Sequence, residues 1–353
     1  GAASHIAYAQ DNIKNDIDEI ISEASVSENT VIVSDDSSSI YFDGEEQQVE
    51  GVKLDLDHFD SLILSSVEKY DVEAPKGVLT ESEILQIKEL SLKQNNAYNA
   101  FSTLMGIEYL TELTSFTADG GFIIEEGDFY NNTKLQTITI TGAIMNKLDL
   151  SRNRDLRTVS IKDGTLYEVN LGGSSKMRDV YINNCSLKKA DVSGLTTVQR
   201  LDFDDNELTN LDISNNRNLN SLKINRNRFE SLDFSNYDVS TIMAAGNKIK
   251  TVDLSNLPAL SSLDCSYNEI AAIDLSKNKR LSTLRCNNNN ITTLYMTGSD
   301  VRELFCYDNY ISILNIASSS MLANDKKGLT AALGKQKDNI ELQLYLNASQ
   351  LVN

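Results

Sequence analysis

Residues 260–280 read LSSLDCSYNEIAAIDLSKNKR, and the same arrangement of apolar residues recurs on both sides of this stretch. Its general form is L-x-x-L-x-C-x-x-N-x-I-x-x-I-D-L-S-x-N. Outward from Leu263, an apolar residue returns every 20 or 21 residues, and a second series through Ile273 keeps the same intervals. Two phased series over nine units indicate a repeat architecture. The first series is Ile138, Val159, Val180, Leu201, Leu222, Ile242, Leu263, Leu284 and Leu304; the second is Leu148, Val169, Ala190, Leu211, Leu232, Val252, Ile273, Leu294 and Leu314.

The first eleven positions of this unit resemble the leucine-rich repeat, which permits Asn or Cys at the ninth place. The match covers about 135 to 316 clearly and extends with distortion back to about 84. A short strand is expected around positions 3 to 5, with positions 1, 4, 6 and 11 directed inward. Because one coil cannot bury its apolar face alone, stability arises between neighbouring coils.

An asparagine recurs at position 9, where its amide can bond backbone groups left open as the chain leaves the strand. The series is Asn206, Asn227, Asn247, Asn268, Asn289 and Asn309. Earlier units carry Ala143, Gly164 and Cys185 there, so we expect those coils to be less regular.

The second half of the unit, L-D-[LIF]-S, alternates apolar and polar residues and predicts a second short strand on the opposite face. The predicted fold is therefore a right-handed leucine-rich-repeat solenoid of the α/β class, built from 20–21-residue coils with short strands on both faces. We expect three regions: an acidic N-terminal cap or pre-domain over 1–80, the solenoid over 81–316, regular from 135, and a C-terminal cap over 317–353.

Both ends of a solenoid expose an apolar cross-section and need a cap. At the C-terminus, residues 339–346 alternate with period 2 and predict a closing strand after a helix around 318–333. At the N-terminus, helical spacing over 6–24 and apolar runs at 31–33 and 40–42 predict a small α/β cap.

Residues 77–113, containing GVLTESEILQIKELSL and GIEYLTEL, resemble the start of the repeats in internalin-like surface proteins of Bacteroidetes-type bacteria. The resemblance implies an exported or surface-anchored bacterial protein and a calcium-loop-like segment over Val72 to Glu83. Gly77 and Glu83 fit that loop, but Val72, Ala74 and Lys76 supply no carboxylate where calcium needs oxygen ligands. We therefore expect a vestigial loop that serves as a cap, with calcium as the alternative.

The net charge of −19 is concentrated near the N-terminus, where residues 1–80 hold 18 Asp and Glu against 4 Lys and Arg. The remaining residues hold 33 against 28, so no basic footprint for nucleic acid is present. Anionic membrane surfaces are disfavoured for the same reason. No apolar run approaches the roughly 18 residues of a membrane span, so the sequence does not predict membrane insertion.

Catalytic chemistry has few candidate groups in this sequence. The two histidines, His5 and His58, lie outside the repeats, and no nucleophile–base arrangement or marked carboxylate pair can be assigned. Cys265, Cys286 and Cys306 stand at inward position 6 and should stack as core residues, since zinc needs four converging ligands. The protein is therefore predicted not to be an enzyme and to need no cofactor.

An aspartate column is predicted on the outer face, one coil apart, at Asp191, Asp212, Asp233, Asp253 and Asp274. Like charges about 4.8 Å apart repel. Either each carboxylate accepts hydrogen bonds from the turn that follows, for which the D-x-S motif and the later Asn supply donors, or a cation bridges the column. The D-x-S motif favours hydrogen bonds from the following turn over a bridging cation.

Function is expected on the concave face, because solenoids use it as an extended binding surface. Aromatic and Arg residues are typical binding anchors, although aromatics also favour strands for packing reasons. A group of them in the last two coils forms what we term the C-terminal cluster: Arg285, Arg302, Phe305, Tyr307 and Tyr310. The other candidate ligand-binding residues are Tyr181, Lys223, Met243 and Tyr267.

The sequence thus predicts a non-enzymatic binding or adhesion protein that presents its concave face to a protein or glycoprotein. Two alternatives stay open: a scaffold subunit of a bacterial surface complex, docking through the acidic N-terminal region, and a carbohydrate-binding module, with stacked Tyr and Phe gripping a glycan. The expected location is secreted or on the cell surface.

Overall fold

The computed structural model describes strands at 32–33, 39–42, 45–48 and 53–55, and then residues 59–73, 77–94, 102–296, 298–299, 301–315, 334–339 and 343–345. The chain divides into two compact units, Gly1–Val52 and Lys53–Asn353. The boundaries that we expect at 80 and 316 stay predictions. The helices expected over 6–24 and 318–333 lie outside the described residues.

In the first unit, Ile32–Val33 pairs antiparallel with Ser39–Phe42, which pairs antiparallel with Glu45–Gln48. The expected apolar runs at 31–33 and 40–42 therefore form adjacent strands.

The second unit is a parallel β-solenoid, as the repeat predicts. Its main feature is an eleven-stranded sheet, here the long sheet, in which every neighbouring pair is parallel and in register. Its strands are Glu89–Lys93, Ser115–Asp119, Thr137–Thr141, Thr158–Lys162, Asp179–Asn183, Arg200–Asp202, Ser221–Lys223, Thr241–Met243, Ser262–Asp264, Thr283–Arg285 and Glu303–Phe305.

The core runs through the interior as columns of apolar side chains, one residue from each coil. Leu263 and Leu284 at position 4 are fully buried, as are Cys265 and Cys286 at position 6. Each fully buried Leu contributes roughly 1.5–3 kcal/mol, and most of that comes from contact with the coils on either side. The inward positions expected from the repeat are confirmed.

The opposite side, here the back face, carries three short parallel sheets rather than one continuous sheet. This confirms the second strand of the repeat, but the ladder is interrupted twice: at Leu211–Asp212–Ile213, which form no strand, and between Thr251–Val252 and Ala272–Asp274, which belong to different sheets. The three sheets consist of Ile144–Asp149, Thr165–Asn170 and Lys189–Asp191; of Ser231–Leu232 and Thr251–Val252; and of Ala272–Asp274, Thr293–Tyr295, Ile313–Asn315 and Gln343–Tyr345. The last of these is the predicted closing strand, which pairs with Ile313–Asn315.

Position 9 forms the asparagine ladder that the sequence predicts. In a typical rung, the Asn289 Nδ2 donates to the carbonyls of Cys265 and Cys286 at 2.9 and 3.1 Å. Its Oδ1 accepts from the N–H of Ile270 at 3.0 Å, so one side chain joins two coils. At the end of the ladder, Gln336 takes the place of asparagine, accepting from the Ile311 N–H and donating to the Cys306 carbonyl.

A second ladder of buried asparagines follows the back-face strands, and the sequence did not predict it. Asn216 donates to the carbonyls of Val192 and Leu195, one coil earlier. These are the same Asn residues that the sequence offers as donors to the outer-face aspartates; instead they turn inward and join coils. The other members that follow this pattern are Asn132, Asn153, Asn236 and Asn278, with Ser174 in a similar place.

Two of the three coils that lack the position-9 asparagine, those with Ala143 and Gly164, have the longest back-face strands, so the expectation that they are less regular is wrong for them. The coil with Cys185 has a back-face strand of 3 residues and positive φ at Asn184 and Ser186. Ile144–Asp149 and Thr165–Asn170 span 6 residues each, whereas the later back-face strands span 2 or 3. With only Ala143 or Gly164 in the turn, the Thr165 N–H bonds directly to the Ala143 carbonyl at 2.9 Å. Backbone pairing thus continues where a large side chain would separate the coils.

A small α/β segment precedes the first strand of the long sheet. A helix at Ser61–Val67 continues into a 3-10 turn at Glu68–Tyr70, and Lys53–Asp55 pairs antiparallel with Val78–Thr80 before a short helix at Glu81–Ile84. Two further 3-10 turns lie at Ile107–Tyr109 and Lys337–Asn339. The buried side chains of Ile63 and Val67 give this segment an apolar interior continuous with the solenoid.

Candidate functional site

One row of side chains crosses the outward side of the long sheet, and we term it the outward row. It is position 5 of each coil, and strand register places its members directly beside one another. Its members are Ser91, Thr117, Thr139, Ser160, Tyr181, Asp202, Lys223, Met243, Asp264, Arg285 and Phe305. Unlike the inward columns, this row repeats no residue type beyond its first four hydroxyl residues and a second aspartate.

Where a cation on the coils forms an ion pair, the acid usually lies on the coil before it. The Lys223 ammonium lies 3.5 Å from the Asp202 carboxylate, its neighbour in the outward row, and Arg200 reaches Asp179 at 2.5 Å. In eight of the nine ion pairs in the described part of the chain, the acid lies one coil before the cation. Because these side chains are mostly exposed, each pair adds little stability, about 0–1 kcal/mol, but it occupies the cation.

A polar network occupies the middle of the sheet. The Asp204 carboxylate accepts from the backbone N–H and the side-chain amide of Asn225, at 2.7 and 3.0 Å. Burial raises the pKa of Asp204, and the hydrogen bonds from Asn225 act in the opposite direction. Asn225 in turn accepts from the Ala245 N–H at 2.9 Å. These bonds hold the turns beyond the strands in fixed positions.

In the C-terminal cluster, two of the aromatic rings, Phe305 and Tyr310, each meet a cation. The Arg285 guanidinium lies 4.7 Å from the centroid of the Phe305 ring, and the Lys337 ammonium lies 4.9 Å from that of Tyr310. A cation over a ring face gains about 0.5–1 kcal/mol when exposed. Sequence reasoning did not identify Lys337, since it belongs to a segment outside the repeat.

The structure distributes the predicted binding residues over several positions of the coil. Tyr181, Lys223, Met243, Arg285 and Phe305 lie in the outward row. Three others lie beside it: Arg302 precedes a strand, and Tyr307 and Tyr310 follow the same strand into the turn. Tyr267 occupies a turn with φ +55 and is 59% exposed. Two further exposed tyrosines, Tyr237 and Tyr295, belong to the back-face half of their coils.

The aspartate column of the back face forms local hydrogen bonds, as the D-x-S motif predicts. Asp191, for example, accepts from the N–H and hydroxyl of Ser193 at 2.9 and 2.7 Å, and these bonds lower its pKa. Asp233 differs, because it accepts from Ser231 at 3.3 Å instead. Asp212, Asp253 and Asp274 repeat the arrangement of Asp191, each with the serine two residues later. Cation bridging of this column stays an untested alternative.

A shallow groove of about 330 Å³ opens at Leu211–Asp212–Ile213, the first interruption of the back-face ladder. It lies between residues 209–213 and 229–235, with Leu211 and Phe234 among its apolar lining and the carboxylates of Asp212 and Asp233 among its polar lining. The repeat did not predict it, since the sequence of this coil matches the consensus.

The loop before the solenoid is closed by a buried carboxylate. Glu83 is 1% exposed, and it accepts from the backbone N–H groups of Val72 and Glu73, both at 2.7 Å, and of Thr80 at 2.9 Å. The Asp71 carboxylate accepts from the Gly77 N–H at 2.7 Å, where φ is +86. The Glu83 oxygens therefore bond backbone amides of the loop itself, and the cap that the sequence predicts here stays a prediction. Calcium binding itself stays an untested alternative.

We expect the stability of this loop to fall in acid. The hydrogen bonds from Glu73 and Thr80 lower the pKa of Glu83 from 4.5 to about 2. A carboxylate with a depressed folded-state pKa stabilises the fold above its unfolded pKa, and the contribution is lost as pH falls through the folded value. The protection of the Val72 and Glu73 amides from hydrogen exchange, measured against the intrinsic rate at each pH, should therefore fall between pH 4.5 and about 2.

The matched comparison is Glu83→Gln against Glu81→Gln in the same short helix. The first should expose both amides already at neutral pH, because the introduced side-chain amide would bring an N–H₂ donor to a cluster of donors. The second should leave exchange unchanged. Equal protection in both variants would show that Glu83 does not close the loop.

The four cysteines are buried and reduced. Burial raises the pKa of the Cys306 thiol to about 12 and that of Cys185 to about 11, so these thiols stay protonated and act as small apolar residues. Within the described residues, no group of three or more His, Cys, Asp or Glu side chains converges on a possible metal position. In the same part of the chain, no helix has the length and apolar character needed to cross a membrane.

No protein-family model and no curated protein matches the sequence. Among solved structures, the LRIM1/APL1C complex is similar with a TM-score of 0.55 and 15% identity, over 76% of this chain and 53% of that chain. This chain thus spans about half of that one. An internalin, InlF of Listeria monocytogenes, is 19% identical over 85% of this chain and 95% of its own, with a TM-score of 0.46. The functional domain of InlJ from Listeria monocytogenes, which includes a cysteine ladder, is 19% identical over 78% and 80%, with a TM-score of 0.39.

At these identities, structural likeness speaks for the fold alone. The parallel in-register strands, the 20- or 21-residue coils and the buried position-9 asparagines are the same features by which the sequence resembles leucine-rich repeats. The chain has the leucine-rich-repeat fold, as a parallel β-solenoid with short strands on both faces.

Proposed function

We propose that this protein is a non-enzymatic binding protein that presents the outward side of its long sheet to a protein or glycoprotein partner. The observation that supports the proposal is the outward row itself. Adjacent strands hold its side chains in fixed register, yet its residue types vary from coil to coil. Regular inward columns serve packing, whereas a varied outward row supplies a specific surface for recognition.

The hydrogen bonds beneath the long sheet make it a suitable rigid surface for binding a partner. The position-9 ladder bonds each coil to the next through buried amides, so little ordering entropy would be lost when a partner binds. The C-terminal cluster supplies Arg and aromatic side chains, which are enriched among residues that dominate binding energy. We place the partner contact over these last coils.

Location at the bacterial cell surface, or secretion, belongs to the same proposal, supported by the resemblance of residues 77–113 to internalin-like proteins. The alternatives of a scaffold subunit and a carbohydrate-binding module remain. The exposed tyrosines of the described coils weigh against a sugar platform, because Tyr237 and Tyr295 lie in the back-face half and Tyr267 lies in a turn.

The test is a binding screen of immobilised protein against extracellular proteins and glycans. A triple variant, Arg285→Ala, Phe305→Ala and Tyr307→Ala, should lose most of the binding to any partner found. Its matched control replaces one cation and two tyrosines of the back-face half: Lys189→Ala, Tyr237→Ala and Tyr295→Ala. Circular dichroism establishes that both variants fold.

The triple variant should weaken binding by about 2 kcal/mol or more, which corresponds to roughly thirtyfold in the dissociation constant. The control should bind within about twofold of the unaltered protein. Loss of binding in the control alone would move the contact to the back face and contradict the proposed surface.

A further inference from the structure

Arg285 differs from Lys223, the other cation of the outward row, in the groups that it contacts. Lys223 in the same row is bound to the acid of the preceding coil, Asp202. Arg285 has an equivalent neighbour, since its strand register places it directly beside Asp264. Among the described residues, however, no ion pair to Arg285 is formed.

The neighbours of Arg285 in the outward row are Asp264 and Phe305. The Oδ1 of Asp264 accepts from the N–H and the hydroxyl of Ser266 at 3.0 and 2.6 Å. On the other side, Phe305 offers a ring, and the guanidinium lies 4.7 Å from its centroid. Arg285 is exposed and Phe305 is half-buried, so the ring supports a cation that faces solvent.

Stacking on a ring engages the face of a guanidinium and leaves its edge free. That edge carries N–H donors in a planar fork that matches the two oxygens of a carboxylate. Three carboxylates of the last coils, Asp264, Glu303 and Asp308, accept hydrogen bonds from Ser266, Thr283 and Asn288, and none forms an ion pair with Arg285.

We propose that Arg285, held over Phe305, is the receptor for a carboxylate on an acidic, extended segment of a protein partner. This inference rests on the proposed function and specifies the chemistry of its partner. A protein segment is favoured over a sugar acid because the outward row is an open sheet surface. Small anions are usually bound in enclosed pockets, whereas an extended segment can contact a row of side chains over several coils.

The test measures binding of a labelled twelve-residue peptide, (Glu-Ser)₆, by fluorescence anisotropy at low ionic strength. The uncharged peptide (Gln-Ser)₆ serves as the comparison. The unaltered protein should bind the Glu peptide more tightly than the Gln peptide. Arg285→Gln should weaken Glu-peptide binding by about fivefold, the scale of one exposed ion pair, and Arg285→Lys by less, because lysine keeps the charge but lacks the fork.

The matched control is Lys223→Gln, which removes a cation of the same row whose charge already has a partner. It should change Glu-peptide binding by less than about twofold. Equal weakening in Arg285→Gln and Lys223→Gln would mean that general charge attracts the peptide, and it would overturn the assignment to Arg285. Equal binding of the two peptides to the unaltered protein would overturn it as well.

A third ligand, sialyllactose, separates the partner classes. Binding of sialyllactose that depends on Arg285, without preference for the Glu peptide, would replace the acidic protein segment with an anionic glycan. None of these results decides the proposed function, which depends on the screen with the triple variant. If a partner is lost by the triple variant but still binds Arg285→Gln, the result would support the long sheet as the binding surface and contradict the carboxylate contact at Arg285.

Discussion

Replacing Asn289 with alanine is expected to lower the free energy of unfolding by about 3 kcal/mol, since buried polar groups left without partners cost about 1–3 kcal/mol each. The Asn289 side chain is fully buried. Its removal would leave the Ile270 N–H and the carbonyls of Cys265 and Cys286 without these bonds, in a place closed to solvent. Urea denaturation of the purified chain measures the change.

Asn290 provides the matched control, because it is the next residue and is exposed. Asn290→Ala should change the free energy of unfolding by less than about 0.5 kcal/mol. Asn289→Asp separates hydrogen bonding from volume. It keeps the shape of the side chain but replaces the donating amide with an oxygen aimed at carbonyl oxygens, so it should destabilise at least as much as alanine. A mild effect of aspartate would show that the ladder matters through packing.

The columns of the solenoid could be predicted from sequence because each depends on a single repeated requirement. An inward position must be apolar, so Leu263 and Leu284 mark the spacing of neighbouring strands, and the register that they imply is the register observed. Asn206 and its equivalents mark the turn because their side chains supply both donors and acceptors to backbone groups left open there. Such patterns can be read without any knowledge of the coil's shape.

Other features could not be predicted because several backbone arrangements satisfy the same residues. Asn216 follows a D-x-S motif, so from sequence its side chain could bond the aspartate turn or enter the core. It enters the core because it donates to the otherwise open carbonyls of Val192 and Leu195. Gln336 completes the position-9 ladder, but it belongs to a segment without a repeat. The register of the outward row follows from the repeat, but which of its cations form ion pairs depends on side-chain contacts, as the difference between Lys223 and Arg285 shows.

Gly164 is the position at which the consensus and the local structure disagree most. It takes the place of the recurring asparagine, so the repeat pattern alone predicts that Gly164→Asn would extend the ladder and stabilise the protein. The structure predicts the opposite. A Cβ atom added at Gly164 would lie 2.3 Å from the Ala143 carbonyl oxygen and 3.1 Å from the Ala143 nitrogen. These are backbone atoms of the preceding coil, which cannot turn aside as the end of a side chain could.

We therefore expect Gly164→Asn and Gly164→Ala to lower the free energy of unfolding by similar amounts, about 3 kcal/mol, which is the upper part of the range for overpacked sites. Relief of the clash requires the two coils to separate, and separation breaks the bond from the Thr165 N–H to the Ala143 carbonyl. Urea denaturation measures both variants beside Gly127→Ala, whose added Cβ would meet only Tyr130 ring atoms, at 3.2 Å or more. That control should cost less than about 1 kcal/mol. If asparagine at 164 stabilised the chain, the early coils would have room to adopt the later coil shape, and close backbone contact would not be the reason for their long strands.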